Sequence, residues 1–318
     1  MRTKFYMIAL AAISMMLGSC SDSNSDFSQD YLADTPIKLN VSVDEPTTRA
    51  GYSDADKPTG FVLDVNNNKA EKYNYLVWAK KVGDSWKTYK PDETLKGGTD
   101  EEVTMLWANM NDNVDVTAFT NIGTITIPTD QTSDDQLKEA DVLYMPFTKY
   151  TPTNKGITVN LQHAMSKINL TIELGSEYEF SEEDVDLKIT DVKIDGSSVS
   201  GDLGSGGIYD VSGDPTPITP FRTGTTPYSK TNGVITKATA TYEAILIPQT
   251  IASGKFIVSF KVDGKLYEWA YNKELTLDPT TAYTLKLTAG DDKVQPVSFS
   301  VAKWNEGNGP EGEKKETD

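Results

Sequence analysis

Side chains suited to acid–base or metal chemistry are few in this sequence. The single histidine, His163, stands between two apolar runs, and we interpret it as a hydrogen-bonded structural residue rather than a catalytic base. No His-x-x-x-His or Glu-x-x-His pair is present to hold a transition metal. We therefore predict that the protein is not an enzyme and that it has no catalytic residue, no metal site and no cofactor.

Three other patterns approach known sites without completing them. Residues 64–68 begin like a calcium-binding loop, but Lys69 replaces the required glycine and Tyr75 the bidentate glutamate, so we predict a turn. The glycines between 201 and 207 lack the following helix of a phosphate-binding loop, which favours a hairpin loop. The adjacent carboxylates at 182–183 are of the type used in glycoside hydrolysis. In a chain with a net charge of −17, however, we interpret them as a solvated face.

The only cysteine, Cys20, follows an N-terminal export signal. Arg2 and Lys4 precede an apolar run over residues 5–17, which is shorter than the roughly 20 residues that span a bilayer. The quartet 17–20, Leu-Gly-Ser-Cys, resembles the bacterial lipobox, in which the cysteine thiol accepts a diacylglycerol. We predict a signal peptide over residues 1–19 and a lipid on Cys20 that holds the precursor at the outer membrane, since a multiply acylated cysteine anchors stably.

The overall charge and the cysteine count exclude further classes of function. Nucleic acid binding depends on lysine and arginine side chains that neutralise phosphates, so a chain with a net charge of −17 is not expected to bind nucleic acid. With a single cysteine the chain cannot form an internal disulfide framework.

The elements that would position these residues are mostly strands. Apolar and polar residues alternate along the chain with a period of two, which predicts an all-β protein. Strands are predicted at 73–81, 114–120, 122–127, 185–194, 256–262, 267–271 and 283–287. Within 157–174 the apolar positions change from odd to even at 162–167, which predicts two strands joined by a bulge or short helical turn. Residues 263–264 predict a hairpin turn, residues 215–231 a loop, and residues 134–140 the one convincing helix.

The two ends of this β-rich region carry the most regular alternation. The first strand has four apolar residues at alternate positions: Ile37, Leu39, Val41 and Val43. The polar residues 44–51 that follow include a proline and predict an exposed loop, the usual target of proteases. The last strand has three alternating apolar residues: Val297, Phe299 and Val301. It closes at Trp304, and the charged, glycine-rich tail over 305–318 is predicted to be disordered.

Several motifs together resemble the fimbrillin family, the subunits of protease-assembled (type V) pili. They are the lipobox, Thr48-Arg49-Ala50, the segments 161–168 and 246–249, and the terminus 297–304. The resemblance covers essentially the whole chain, and His-Ala-Met-Ser-Lys at 163–167 is its most distinctive part. It implies two transthyretin-like β-sandwich domains, delivery to the cell surface as a lipoprotein, and cleavage by an arginine-specific protease.

The family pattern assigns a role to each segment. The implied cut lies between Arg49 and Ala50 and removes residues 20–49, including the first strand. A C-terminal strand from another subunit fills the resulting groove. Repetition of this step gives a head-to-tail polymer in a fimbria. The expected divisions are 1–19 (signal peptide), 20–49 (propeptide), 50–178 and 179–304 (two β-sandwich domains, the second ending in the candidate donor strand), and 305–318 (tail). Two alternatives remain: a fimbrial tip adhesin or anchor subunit, and a surface lipoprotein that binds a host or bacterial glycan through exposed aromatic residues.

Overall fold

The computed structural model describes residues 31–43, 51–53, 56–175, 189–204, 209–223, 228–231, 234–290 and 293–304. Several predicted features lie outside these residues: the signal peptide, Cys20, the cleavage site at Arg49 and Ala50, the carboxylates at 182–183, the boundary at 178–179 and the tail.

The described residues up to 175 form ten strands, one α-helix and a short 3-10 turn at Glu71–Tyr73. The elements are β1 (Leu39–Val43), β2 (Gly60–Asn66), β3 (Tyr75–Val82), β4 (Ser85–Pro91), β5 (Gly98–Glu102), β6 (Val114–Phe119), β7 (Gly123–Thr126), α1 (Asp134–Ala140), β8 (Leu143–Tyr150), β9 (Ile157–His163) and β10 (Ser166–Leu174). Eight of them form the largest sheet, in the order β1-β9-β8-β6-β2-β3-β4-β5.

The described residues after 188 form twelve further strands. They are β11 (Ile189–Asp195), β12 (Ser198–Leu203), β13 (Tyr209–Pro215), β14 (Phe221–Arg222), β15 (Tyr228–Thr231), β16 (Val234–Leu246), β17 (Gln249–Ile251), β18 (Ile257–Val262), β19 (Lys265–Ala270), β20 (Leu275–Leu277), β21 (Thr281–Ala289) and β22 (Val294–Lys303). The main sheet here has the order β14-β16-β10-β21-β22, and β15 also pairs with β16. Smaller sheets are β11-β18-β19, β13-β12-β7 and β17-β20.

The buried apolar side chains form two clusters. One cluster lies on the eight-stranded sheet and draws its residues from Leu32 to Leu161. The other draws residues from Ile125 to Trp304 and lies between the six-stranded sheet and the smaller sheets. Residues 125–142 already contribute to the second cluster, residues 143–161 return to the first, and the chain enters the second again after β9, through Ala164 and Met165, both fully buried. This layered arrangement of strands over buried apolar faces is an all-β sandwich fold.

The structure confirms several predicted elements. Helix α1 covers 134–140 as predicted, and Ser133 forms a capping box with Gln136 at its start. The change of phase at 162–167 marks the link between β9 and β10, which belong to different sheets. Asp263 and Gly264 have positive φ values of 48° and 81° and form the turn between β18 and β19.

Other predictions were wrong in detail. Gly201 lies inside β12, paired with Val211 and Ile125, rather than in a loop. The predicted loop at 215–231 contains the short strands β14 and β15. Residues 64–66 belong to β2, and the turn begins at Asn67, whose side chain accepts from the N–H groups of Lys69 and Ala70.

The longest strand, β16, was not predicted. Several of its buried positions are alanines, namely Ala238, Ala240 and Ala244, and alanine is depleted in strands. Its position between β14 and β10 therefore depends on close packing of sheet partners, which a local pattern does not reveal.

The predicted division into two domains stays a prediction. By their contacts, the described residues from Tyr31 to Trp304 form one compact unit, and β7 from before residue 178 shares a sheet with β12 and β13 from after it. Within the described ranges, no helix is long and apolar enough to cross a membrane.

Candidate functional site

Strand β1, the predicted removable strand, forms one edge of the eight-stranded sheet. It pairs in parallel with β9, with Leu39 opposite Ile157 and Val43 opposite Leu161. The Lys57 ammonium donates to the Val41 carbonyl over 2.7 Å, and the Ser42 hydroxyl donates to the Asn160 side chain over 2.9 Å. The strand is therefore held to the sheet by one backbone ladder and a few side-chain bonds.

The segment just before β1 pairs with a different part of the chain. The Asp34 and Ile37 N–H groups donate to the carbonyls of Trp107 and Met105, each over 2.9 Å, and the Trp107 N–H donates to Thr35 over 3.0 Å. Residues 34–43 therefore contact β9 at one end and 105–107 at the other. No strand signal was identified for residues 105–107 in the sequence.

The apolar side chains of this first segment enter the core. Leu32 and Val43 are buried, and Ile37, Leu39 and Val41 are partly buried against the cluster that includes Trp107 and Ile157. Fully burying one such side chain contributes about 1.5–3 kcal/mol. Loss of this segment would leave an apolar groove beside the unpaired backbone groups of β9, which is a template for another strand.

Gly156 allows β1 to approach β9 closely. Its φ is +82°, a left-handed conformation that favours glycine, and a Cβ added there would overlap the carbonyl oxygen of Lys38. That carbonyl accepts the N–H of Ile157 over 2.8 Å. The close contact is with backbone, so a side chain at 156 cannot be accommodated by a rotamer change.

Strand β22, the candidate donor, forms the free edge of the six-stranded sheet. It runs antiparallel to β21, from Val294 opposite Ala289 to Lys303 opposite Thr281. Of its ten residues, Val294 and Phe299 are partly buried and the other eight are exposed, with Val297 at 55% and Val301 at 58%. The Phe299 ring contacts Tyr271 at a centroid distance of 5.1 Å.

A β-bulge interrupts the alternation of β22. Ser298 lies opposite Lys286 and Pro296 lies opposite Leu287, so Val297 is the additional residue. Phe299 and Val301 pair with Leu285 and Tyr283 and share their face of the sheet. The three predicted groove-filling residues therefore do not form one uninterrupted period-two row in this position.

Trp304, directly after β22, is buried in a polar junction that the sequence did not reveal. Its indole stacks on the His163 imidazole, with ring centroids 4.3 Å apart and planes 2° from parallel. His163 Nδ1 lies 2.8 Å from Asp141 Oδ1, and Asp141 Oδ2 accepts the Tyr52 N–H over 2.8 Å. His163 is thus the buried, hydrogen-bonded residue expected.

An ion pair lies next to this junction. Lys167 Nζ is 3.3 Å from Glu243 Oε2 and 5.9 Å from the centroid of the Trp304 ring. Burial lowers the pKa of Lys167, and the neighbouring Glu243 carboxylate opposes that shift. Burial and the Asp141 carboxylate raise the pKa of Tyr52.

The junction is suited to holding segments together and not to reaction with a substrate. A carboxylate that orients a histidine is a common catalytic pair, but both side chains here have no exposed surface. A substrate would have no route to His163. Asp141, His163 and Trp304 come from distant parts of the sequence, so local patterns gave no signal for their contact. Within the described part of the chain, no group of three or more His, Cys, Asp or Glu side chains could hold a metal ion.

Comparison with known proteins gives a family for this arrangement. The family model described as fimbrillin-like matches residues 48–304. A proposed cell adhesion protein from Bacteroides ovatus has a similar fold, with a TM-score of 0.58, 16% identity and coverage of 86% of this chain and 98% of its own. Another from Bacteroides uniformis gives a TM-score of 0.54, 16% identity and coverage of 85% and 98%.

A fimbrial protein from Bacteroides vulgatus has a TM-score of 0.47 and 16% identity over 85% of this chain and 99% of its own. Comparison with curated protein sequences finds no match. Because the family model extends from just before the predicted cut to the buried Trp304 and covers most of the sequence, this chain belongs to the fimbrillin-like family.

Proposed function

We propose that this protein is a structural subunit of a cell-surface fimbria. In this proposal the protein is exported as a lipoprotein and held at the outer membrane by a lipid on Cys20. An arginine-specific protease then cuts it after Arg49. The cut subunit joins head to tail with other subunits by strand exchange. Membership of the fimbrillin-like family supports a structural, non-enzymatic role at the cell surface.

The observation that carries the proposal is the position of β1 relative to Arg49. The whole paired segment 34–43 lies N-terminal to Arg49, and it forms a sheet edge with partly buried apolar side chains. One cut would therefore separate this segment covalently from the rest of the chain. The vacated groove would accept a strand such as β22, whose residues are largely exposed.

The arginine content of the sequence supports a single specific cut. Arginine occurs only at Arg2, Arg49 and Arg222, although lysine and arginine together number 30. Arg2 lies in the predicted signal peptide. Arg222 lies in β14 and is paired with Tyr242 of β16. Proteases cut exposed, unpaired segments most readily, so Arg49 is the expected target.

The experiment treats purified precursor, residues 20–318, with an arginine-specific protease and follows its N-terminal sequence and size. We expect a new N-terminus at Ala50, followed by ladders or filaments that grow with protein concentration. Arg49→Lys keeps the charge and should block both changes, whereas Arg222→Lys should affect neither. Resistance of Arg49, or a stable monomer after the cut, would show that the subunit does not assemble by this route.

The glycan-binding alternative has weaker support. It calls for exposed aromatic residues, and tryptophan is the strongest of these for stacking. All five tryptophans lie in the described part of the chain, and none of them is exposed. Phe147 and Tyr31 are exposed, but membership of the fimbrillin-like family supports the fimbrial subunit over this alternative.

A further inference from the structure

The contacts that hold β22 in place are concentrated at its C-terminal end. The exposed residues of β22 contribute little apolar burial, whereas Trp304 is only 2% exposed. Burial of a large aromatic side chain is among the strongest single contributions to packing. Apart from the backbone ladder with β21, the partly buried Val294 and Phe299 and the buried Trp304 are therefore the main attachments of this edge strand.

The site that receives Trp304 is buried and hydrogen-bonded. The His163 ring lies parallel to the indole, and Asp141 orients that ring through Nδ1. Asp141 in turn accepts the N–H of Tyr52. Each partner of the indole is therefore positioned by a further group, and loss of the indole would remove its stacking contact and leave a cavity.

Thr280 holds the backbone of Trp304 and does so in a strained conformation. Its φ is +59°, which is uncommon for a β-branched residue and costs energy. Its carbonyl accepts the Trp304 N–H over 2.8 Å, and its own N–H donates to Met165 over 3.0 Å. Its hydroxyl donates to the His163 carbonyl over 2.9 Å. Three hydrogen bonds therefore maintain Thr280 in a strained conformation, which indicates that its contact with the Trp304 backbone is specific.

Two buried polar atoms make the contact releasable. Trp304 Nε1 and His163 Nε2 have no hydrogen-bond partner among the residues that the structure describes. An unsatisfied buried donor costs free energy, so movement of Trp304 into water recovers part of what its burial provides. The stacked pair therefore holds the strand without making its release prohibitive.

From these contacts we infer that Trp304, seated on His163, is a latch that keeps β22 on its own subunit until assembly. This inference deepens the proposed function and rests on it, since it assigns the control of strand donation to one side chain. While the indole is seated, β22 covers the edge of β21. When the indole leaves, the mostly exposed strand loses its largest buried side chain and keeps its ladder and the partly buried Val294 and Phe299.

The test measures opening of β22 by hydrogen exchange and mass spectrometry, at concentrations too low for assembly. Trp304→Ala should speed exchange over 281–303 by at least about tenfold, with β2 and β3 unchanged. Trp304→Phe, which keeps a ring on His163, should stay within about threefold of wild type because ring stacking and most of the burial persist. Val301→Ala is the matched control, since it removes an exposed side chain from the same strand.

A second readout separates the latch from the proposed function. Cut Trp304→Ala subunits should form ladders faster than cut wild-type subunits. Faster exchange with unchanged ladder formation would overturn donation of β22 and leave the latch intact. An unchanged rate of hydrogen exchange in Trp304→Ala would overturn the latch, whatever the rate of ladder formation. If Trp304→Ala does not fold, Trp304→Leu, which fills the slot without a stacking ring, is tested in the same way.

Discussion

At the scale of single residues, the buried charges show how this core tolerates polar groups. Lys167 and Glu243 have side chains 1% and 8% exposed and lie on adjacent strands of the six-stranded sheet. Removing two charges from water is costly, and their attraction offsets that cost only while both are present. Removing one member of the pair should therefore cost more free energy than the intact pair contributes to the stability of the fold.

Replacing only one member of this pair should destabilise the protein strongly. Glu243→Leu leaves the Lys167 charge buried and should lower the unfolding free energy by about 3–5 kcal/mol, whereas Lys167→Met with Glu243→Leu should be nearly neutral. Urea denaturation of the two variants measures this difference. The exposed pair of Lys87 and Glu102 is the control, for which one replacement should leave the unfolding free energy nearly unchanged.

The same pair should make stability depend on pH. Because burial lowers the pKa of Lys167 below its ordinary value of 10.5, the unfolded chain binds that proton more strongly than the folded chain. The unfolding free energy should therefore rise with pH in the alkaline range up to about that value. The double variant should lose this rise, and an identical slope in both proteins would contradict the assignment.

Gly156 allows a second test at the residue scale. Gly156→Ala should destabilise the precursor by roughly 1–3 kcal/mol more than Gly254→Ala, because both glycines have left-handed φ values but only Gly156 has a backbone atom in the way. Thermal or urea unfolding measures the difference. After cleavage at Arg49 and loss of β1, the excess cost should disappear. An excess that persists in the cut protein would mean that the clash does not involve the propeptide.

At the scale of elements, β1 is held by its backbone pairing with β9 and by the packing of its apolar side chains. A peptide of residues 31–43 should therefore bind back to subunits that have been cut and separated from it, and it should slow ladder formation in proportion to its concentration. The same peptide with Leu39→Asp and Val41→Asp is the control, since those side chains pack on the core. Equal inhibition by both peptides would exclude refilling of the groove.

The sequence predicted those elements in which local pattern and environment agree. Strand β18, the turn at 263–264 and helix α1 follow from alternation, turn residues and a capping box that are all local in the chain. Strand β16 was missed because buried alanines give a weak signal, and Gly201 was placed in a loop because its sheet partners could not be identified. The exposed face of β22 and its bulge at Val297 depend on neighbouring strands, so alternation alone overstated its regularity.

The candidate site was predictable to a similar degree. Ile37, Leu39, Val41 and Val43 were identified from alternation, and the structure places them in and directly before β1. The pairing of residues 34–37 with 105–107 and the contact of Asp141, His163 and Trp304 were not identified. These contacts join residues separated by long stretches of chain, and single-sequence patterns carry no information about such distances.

At the scale of the whole molecule, the sequence has a net charge of −17, of which −15 lies in residues 50–318, and this charge opposes association of identical cut subunits. Mutual repulsion acts over about 30 Å at 0.01 M salt and about 10 Å at 0.1 M. Ladder formation by subunits that have already been cut should therefore become faster as sodium chloride is raised from about 0.01 to 0.1 M. Light scattering measures the rate, and use of cut protein removes any effect of salt on the protease. A slower rate at higher salt would indicate complementary charged surfaces instead.

The uneven burial of β22 has a consequence for how such subunits diversify. A donated strand has to suit two surroundings, its own sheet before assembly and a neighbour's groove afterwards. Its own fold holds it mainly through Val294, Phe299 and Trp304. If β22 is donated as proposed, mutations at the exposed positions would alter the match with a neighbour and leave the stability of the monomer nearly unchanged. Partner preference could then change during evolution, and related subunits could become mutually selective without passing through unstable intermediates.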